Sequence, residues 1–85
     1  MPELHNLPCC GPTEAERLRE LPHIYGCDFD LFRCLQCGRG WVAYFANAGG
    51  AGGWEFVSES EAEQMLSADG EELREFMRVW AEKFN

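Results

Sequence analysis

The segment Cys34-Leu35-Gln36-Cys37-Gly38 constrains this chain more than any other feature. Two cysteines separated by two residues bring both sulfurs to one point within a single tight turn. The glycine that follows accepts the positive φ such a turn needs and leaves backbone N–H groups free to approach the thiolates. On both sides lie residues of strand character. From Ile24 to about Arg33 the pattern alternates, with Cys27, Phe29 and Leu31 on one face and Asp28 and Asp30 on the other. Residues 41–46 are aromatic and β-branched. The cysteine pair is therefore expected at the tip of a hairpin. A tetrahedral ion held there needs two further ligands from elsewhere in the chain.

Length sharpens the point. With 85 residues the chain has room for one domain, 1–85, and a domain this short often needs a staple besides its core. Three Trp, six Phe and two Tyr are enough for a small core. The first residues, Met1-Pro2-Glu3-Leu4-His5, have neither the basic nor the apolar region of a secretory signal. The longest apolar stretch, 41–46, is far below the ~20 residues of a membrane span. These features predict a soluble, cytoplasmic protein. There thiols stay reduced, and five cysteines read as metal or redox chemistry and not as disulfides.

The remaining pattern predicts an α+β fold. Thr13-Glu14-Ala15-Glu16 reads as a capping box opening a short N-terminal helix, with Ala15, Leu18 and Leu21 on one face and Pro22 as its stop. The two strands around the cysteine pair, joined through the turn-like Gly49-Gly50-Ala51-Gly52-Gly53 to a third at 54–57, form a small three-stranded antiparallel sheet. Ser58-x-x-Glu61 and Asp69-x-x-Glu72 then start two C-terminal helices spanning 58–84. Leu73, Phe76, Met77, Trp80 and Phe84 make an apolar stripe on the second, expected to pack on a sheet face carrying Phe29, Leu31, Trp41 and Trp54. The four-three-four spacing of Leu73, Met77, Trp80 and Phe84 also suits a dimer seam, so monomer and homodimer both stay open.

The Cys34–Gly38 turn resembles the knuckles of zinc-ribbon and rubredoxin-like domains, and the resemblance spans roughly residues 5–57. In those families a second knuckle completes a four-sulfur site, which implies a zinc-ribbon-like sheet and one structural zinc per chain. The matching segment here, Leu7-Pro8-Cys9-Cys10-Gly11, is degenerate: Cys10 precedes the glycine, but Leu7 stands where the families have their other cysteine. Cys9 is the replacement, with Cys27 as its rival, although strand rise sets Cys27 well away from the hairpin tip. The order of preference is Cys34, Cys37, Cys10, Cys9, then Cys27, with His5 and His23 behind. The departure from the rubredoxin pattern favours zinc over iron. Such a site is closed to substrate and stabilises the fold.

Charge narrows the function. Fifteen Asp and Glu oppose seven Lys and Arg, a formal net charge of −8, and the basic residues form no patch. That argues against nucleic acid and anionic membrane and favours a basic protein partner. The glycine-rich segment lacks the Lys and helix of a phosphate loop, and the histidines lack triad partners. Asp28 and Asp30 read as a solvated edge. The expectation is a non-enzymatic, zinc-stabilised protein-interaction module: an adaptor, a regulator or an immunity-type inhibitor. A nucleic-acid-associated zinc ribbon and a small thiol-redox or iron electron-transfer protein are the alternatives.

Overall fold

The computed structural model describes residues 3–46 and 52–84, and of Phe84 only the backbone. The chain runs through strands β1 (Glu3–Leu7), β2 (Gly11–Ile24), β3 (Cys27–Cys34), β4 (Gly40–Ala46) and β5 (Gly52–Val57). Helices α1 (Glu59–Ser67) and α2 (Gly70–Trp80) follow, with a closing 3-10 turn, Ala81–Phe84. The strands form one antiparallel sheet in the order β1-β2-β3-β4-β5. This corrects the expected three-stranded sheet with an N-terminal helix. The glycine-rich connection loses its last two residues, Gly52 and Gly53, to β5, and residues 47–51 lie outside the described residues.

The error over residues 13–21 has a physical cause. Ala15 pairs with Cys34 and Arg17 with Phe32, but the register shifts before Arg19 pairs with Leu31 and Leu21 with Phe29. That shift is a β-bulge, which inserts one residue and moves the following side chains to the other face. Ala15 therefore joins one apolar cluster, while Leu18 and Leu21 join the other. Three apolar residues three apart imitate a helical stripe while serving opposite faces of one strand. The Thr13 hydroxyl caps no helix; it donates to Gln36 Oε1 at 3.1 Å. Pro22 lies in a second irregularity, between Leu21 and Ile24, where no ladder N–H is required. Tyr25 and Gly26, with φ of 52° and 76°, then form the tight primed turn into β3.

The sheet buries apolar side chains on both faces. One face sets Leu21, Ile24, Phe29, Leu31, Val42 and Val57 against Met65, Ala68, Leu73, Met77 and Trp80 of the helical segment. The other gathers Leu7, Ala15, Phe32, Cys34, Trp41 and Ala43, with Trp54 packed against them. The stripe of α2 thus meets Phe29 and Leu31 as expected, but not Trp41 and Trp54. Phe32 pairs with Trp41 and Leu31 with Val42, so the tryptophan lies one residue out of phase with the helix-covered face.

This second cluster needs no helix because the sheet curls over it. In a flat sheet, four strand spacings would hold β1 and β5 about 19 Å apart. The rings of His5 (β1) and Trp54 (β5) instead lie 5.5 Å apart, edge to face, with Phe32 against both. The result is a half-barrel filled by its own aromatic side chains.

The helices start and stop for identifiable reasons. Ser58 and Glu61 complete the predicted capping box of α1. At its other end Arg19 donates to the carbonyls of Met65 at 2.9 Å and Ala68 at 2.8 Å, satisfying groups that the helix end leaves unpaired. Asp69 makes no side-chain cap for α2; its carboxylate accepts from Arg19 at 3.0 Å.

Candidate metal centre

In an up-and-down meander, alternate turns share one end of the sheet. The β1–β2 turn, carrying Cys9 and Cys10, and the β3–β4 turn, carrying Cys37 after Cys34, therefore emerge side by side. Two contacts fix the β3–β4 turn to the start of β2, just past the β1–β2 turn: the Leu35 N–H donates to the Glu14 carbonyl at 3.0 Å, and Thr13 bonds Gln36. Gly11 and Gly38, each just past its turn, adopt φ of 68° and 83°, which suits glycine. Within the β3–β4 turn, the Gly38 N–H returns to the Cys34 carbonyl at 2.9 Å.

The four sulfurs of Cys9, Cys10, Cys34 and Cys37 all lie within 4.8 Å of one another. Cys10 and Cys34 are 3.8 Å apart, and Cys9 and Cys37 3.5 Å. A tetrahedral ion with metal–sulfur bonds of about 2.3 Å requires sulfur–sulfur edges of about 3.8 Å. The cluster therefore has the dimensions of a four-thiolate metal site, and the four cysteines are positioned to bind a metal ion. The adjacent Cys9 and Cys10 avoid conflict by reaching different partners across the gap, one to Cys37 and one to Cys34. Leu7, which stands in the place of a knuckle cysteine, is 2% exposed and fills the half-barrel core instead.

The two turns prepare their thiols differently. The backbone N–H of Arg39, helped by its guanidinium, holds the Cys37 thiol down at about 6. Burial works to raise Cys34, but N–H groups of Cys37 and Gln36 more than offset it and keep the thiol below its ordinary value. The β1–β2 turn supplies no such donors. Burial, reinforced by the neighbouring sulfurs, pushes Cys10 up to about 12, and burial also raises Cys9. The two turns thus shift their thiols in opposite directions, and holding a cation would require those of the β1–β2 turn to lose their protons. The Trp41 indole donates to the Cys9 sulfur at 3.3 Å, orienting it from outside the cluster.

The rival ligands lie elsewhere. Cys27 begins β3 opposite Ala46, beside the Tyr25-Gly26 turn at the other end of the sheet, and packs against the helix-covered core. His23 Nδ1 lies 2.8 Å from the exposed Asp28, and the half-buried Asp30 accepts from Arg17 at 3.1 Å, so each of the two acids has its own partner. His5 meets Phe32 and Trp54 edge to face. Arg39, Trp41, Thr13 and Gln36 support the site, although the sequence gives Thr13 and Trp41 other roles and Arg39 and Gln36 none. For Arg39 a signal existed, a cation two residues past a thiolate; for the others only the tertiary pairing shows it.

Among the described residues, no other group of three or more His, Cys, Asp or Glu gathers its ligand atoms this way, and no helix is long and apolar enough to cross a membrane. Compared with protein-family models, curated proteins and solved structures, the chain matches none.

Proposed function

We propose that this chain is a small zinc protein, in which Cys9, Cys10, Cys34 and Cys37 hold one structural ion and the folded domain serves as a non-enzymatic protein-interaction module. The observation that carries the metal reading is the sulfur cluster, with spacings that match a tetrahedral S4 ion. Four thiolates fill the coordination shell, so no position is left for substrate or activated water. The ion's work is mechanical: it ties the β1–β2 turn to the β3–β4 turn, beside the hydrogen bonds that hold the latter to the start of β2. Zinc is preferred over iron because the β1–β2 turn lacks the paired-cysteine knuckle of the iron proteins. The test is metal analysis of protein purified without chelator. About one zinc per chain supports the reading, whereas iron, or a fully folded chain free of metal, overturns it.

The partner follows from charge. Four thiolates with one divalent cation would take the formal −8 of the chain to about −10. Such a molecule attracts basic protein surfaces and repels phosphate backbones and anionic membranes. We assign it a basic protein partner, met in a reducing compartment such as the cytoplasm where the thiolates persist. An adaptor, a regulator and an immunity-type inhibitor share that chemistry. Salt-sensitive association with a purified partner would support it, and association unaffected by salt would count against it.

A further inference from the structure

We propose that Cys9 and Cys37 form a reversible disulfide on exposure to hydroperoxides, a modification site inside the metal centre that opens it. The proposal rests on the four-cysteine reading above, and geometry singles out this pair. Cys37 alone of the four is exposed; Cys9 and Cys10 are half-buried, and Cys34 is buried. An oxidant from solvent therefore meets Cys37 first. The Cys9 sulfur is 3.5 Å away on the facing turn, closer than the 3.8 Å between Cys10 and Cys34. The strap from Leu35 to Glu14 and the Thr13–Gln36 bond hold the β3–β4 turn against the start of β2, a few residues past Cys9, without help from an ion. A Cys9–Cys10 bridge is disfavoured because neighbouring Cα atoms stand about 3.8 Å apart, short of the roughly 4.4–6.8 Å a disulfide spans.

The chemistry balances with the hydroperoxide as sole co-reactant. The Cys37 thiolate attacks the terminal peroxide oxygen, the O–O bond breaks, and an alkoxide (hydroxide from hydrogen peroxide) leaves with a sulfenic acid formed at Cys37. The Cys9 thiolate then attacks the Cys37 sulfur, the S–O bond breaks, hydroxide leaves, and the S–S bond forms. Two thiolates give up two electrons and the peroxide takes both. Cys10 and Cys34 remain, half the ligand set a structural zinc requires, so the ion is lost while a covalent bridge joins the same turns. A dithiol reductant reverses the change.

The test treats zinc-loaded, full-length protein with hydrogen peroxide. Released zinc is followed with a chromophoric chelator, and disulfides are mapped by differential alkylation and peptide mass spectrometry. The expected result is one zinc released per Cys9–Cys37 disulfide, restored by dithiothreitol and zinc, and unchanged in Cys27→Ser. Predominance of Cys34–Cys37, of any Cys27 bridge or of intermolecular disulfides overturns it, as does zinc release with no disulfide. Because Cys9→Ser and Cys37→Ser disturb the ligand set itself, the second measurement uses the reduced, metal-free wild-type chain under the same peroxide. If the chain takes up no metal, the zinc reading fails, while the bridge mapped in that chain still upholds or overturns the pairing.

Discussion

Each cysteine in the cluster is placed by a different neighbour. Cys34 ends a strand, Cys37 follows a two-residue turn, Cys10 precedes a left-handed glycine, and Cys9 is turned by the Trp41 indole. Loss of any one leaves three ligands and a gap that water fills poorly in a structural site. Cys34→Ser and Cys10→Ala should therefore abolish stoichiometric zinc, whereas Cys27→Ala should leave it unchanged, as read by metal analysis of each purified variant. Arg39 acts from outside the ligand set, donating to Cys37 from both its backbone and its guanidinium. Arg39→Ala removes only the guanidinium, and loss of such an outer contact commonly weakens metal binding by about 10–100-fold. Competition against a chelator of known affinity would measure this, and an unchanged affinity would remove Arg39 from the site.

At the scale of elements, legibility in the sequence tracked locality. The Cys34–Gly38 turn, the strands beside it, the capping box at Ser58 and the stripe of α2 from Leu73 to Trp80 are set by residues close in the chain and are found as expected, while the Phe84 side chain lies outside the described residues. β2 reads as a helix in the sequence because its bulge, fixed by pairing with β3, gives Ala15, Leu18 and Leu21 a helical spacing. β1 leaves no local signal because its inward residues, His5 and Leu7, are too few to show a period, and their partners lie on β2, β3 and β5. The preference for Cys9 over Cys27 rests in the sequence on a strand-rise argument; in the structure the Cys9 sulfur lies with those of Cys10, Cys34 and Cys37, while Cys27 stands at the other end of the sheet. Arg19 is the element-scale contact no local pattern announces, since it joins β2 to the end of α1 across more than forty residues. Arg19→Ala should destabilise the fold by roughly 1–3 kcal/mol, the usual cost of losing charge-assisted bonds to helix-end carbonyls. Urea denaturation with an unchanged m-value would verify it; a loss below the error of that experiment would show that water replaces the guanidinium.

At the scale of the whole molecule, the two apolar clusters lie on opposite faces of one sheet, and this division decides what a metal ion bound at the cysteines could and could not stabilise. The sulfur cluster borders the half-barrel core, where Cys9 and Cys10 pack beside Leu7, Ala15 and Trp41. The helix-covered core has no tie of that kind and depends on burial. Trp80 is 6% exposed, meets Phe29 edge to face at 5.9 Å and carries the Lys83 ammonium 4.4 Å above its ring. Trp80→Ala should cost about 3–5 kcal/mol, the usual range for a buried large aromatic. Thermal or chemical denaturation reads that loss directly. Truncation after Gly70 is the harsher test. It strips Leu73, Met77 and Trp80 from the sheet and uncovers Leu21, Phe29, Leu31 and Val42. Each large side chain of that cluster contributes roughly 1.5–3 kcal/mol when buried, against a whole-domain margin of about 5–15 kcal/mol. A bound ion on the opposite face, at one end of the sheet, cannot cover that surface. The truncated chain should aggregate or melt without cooperativity even in zinc. A soluble, monomeric and cooperatively melting truncation would mean instead that the half-barrel folds alone and that the stripe of α2 is free to serve a partner.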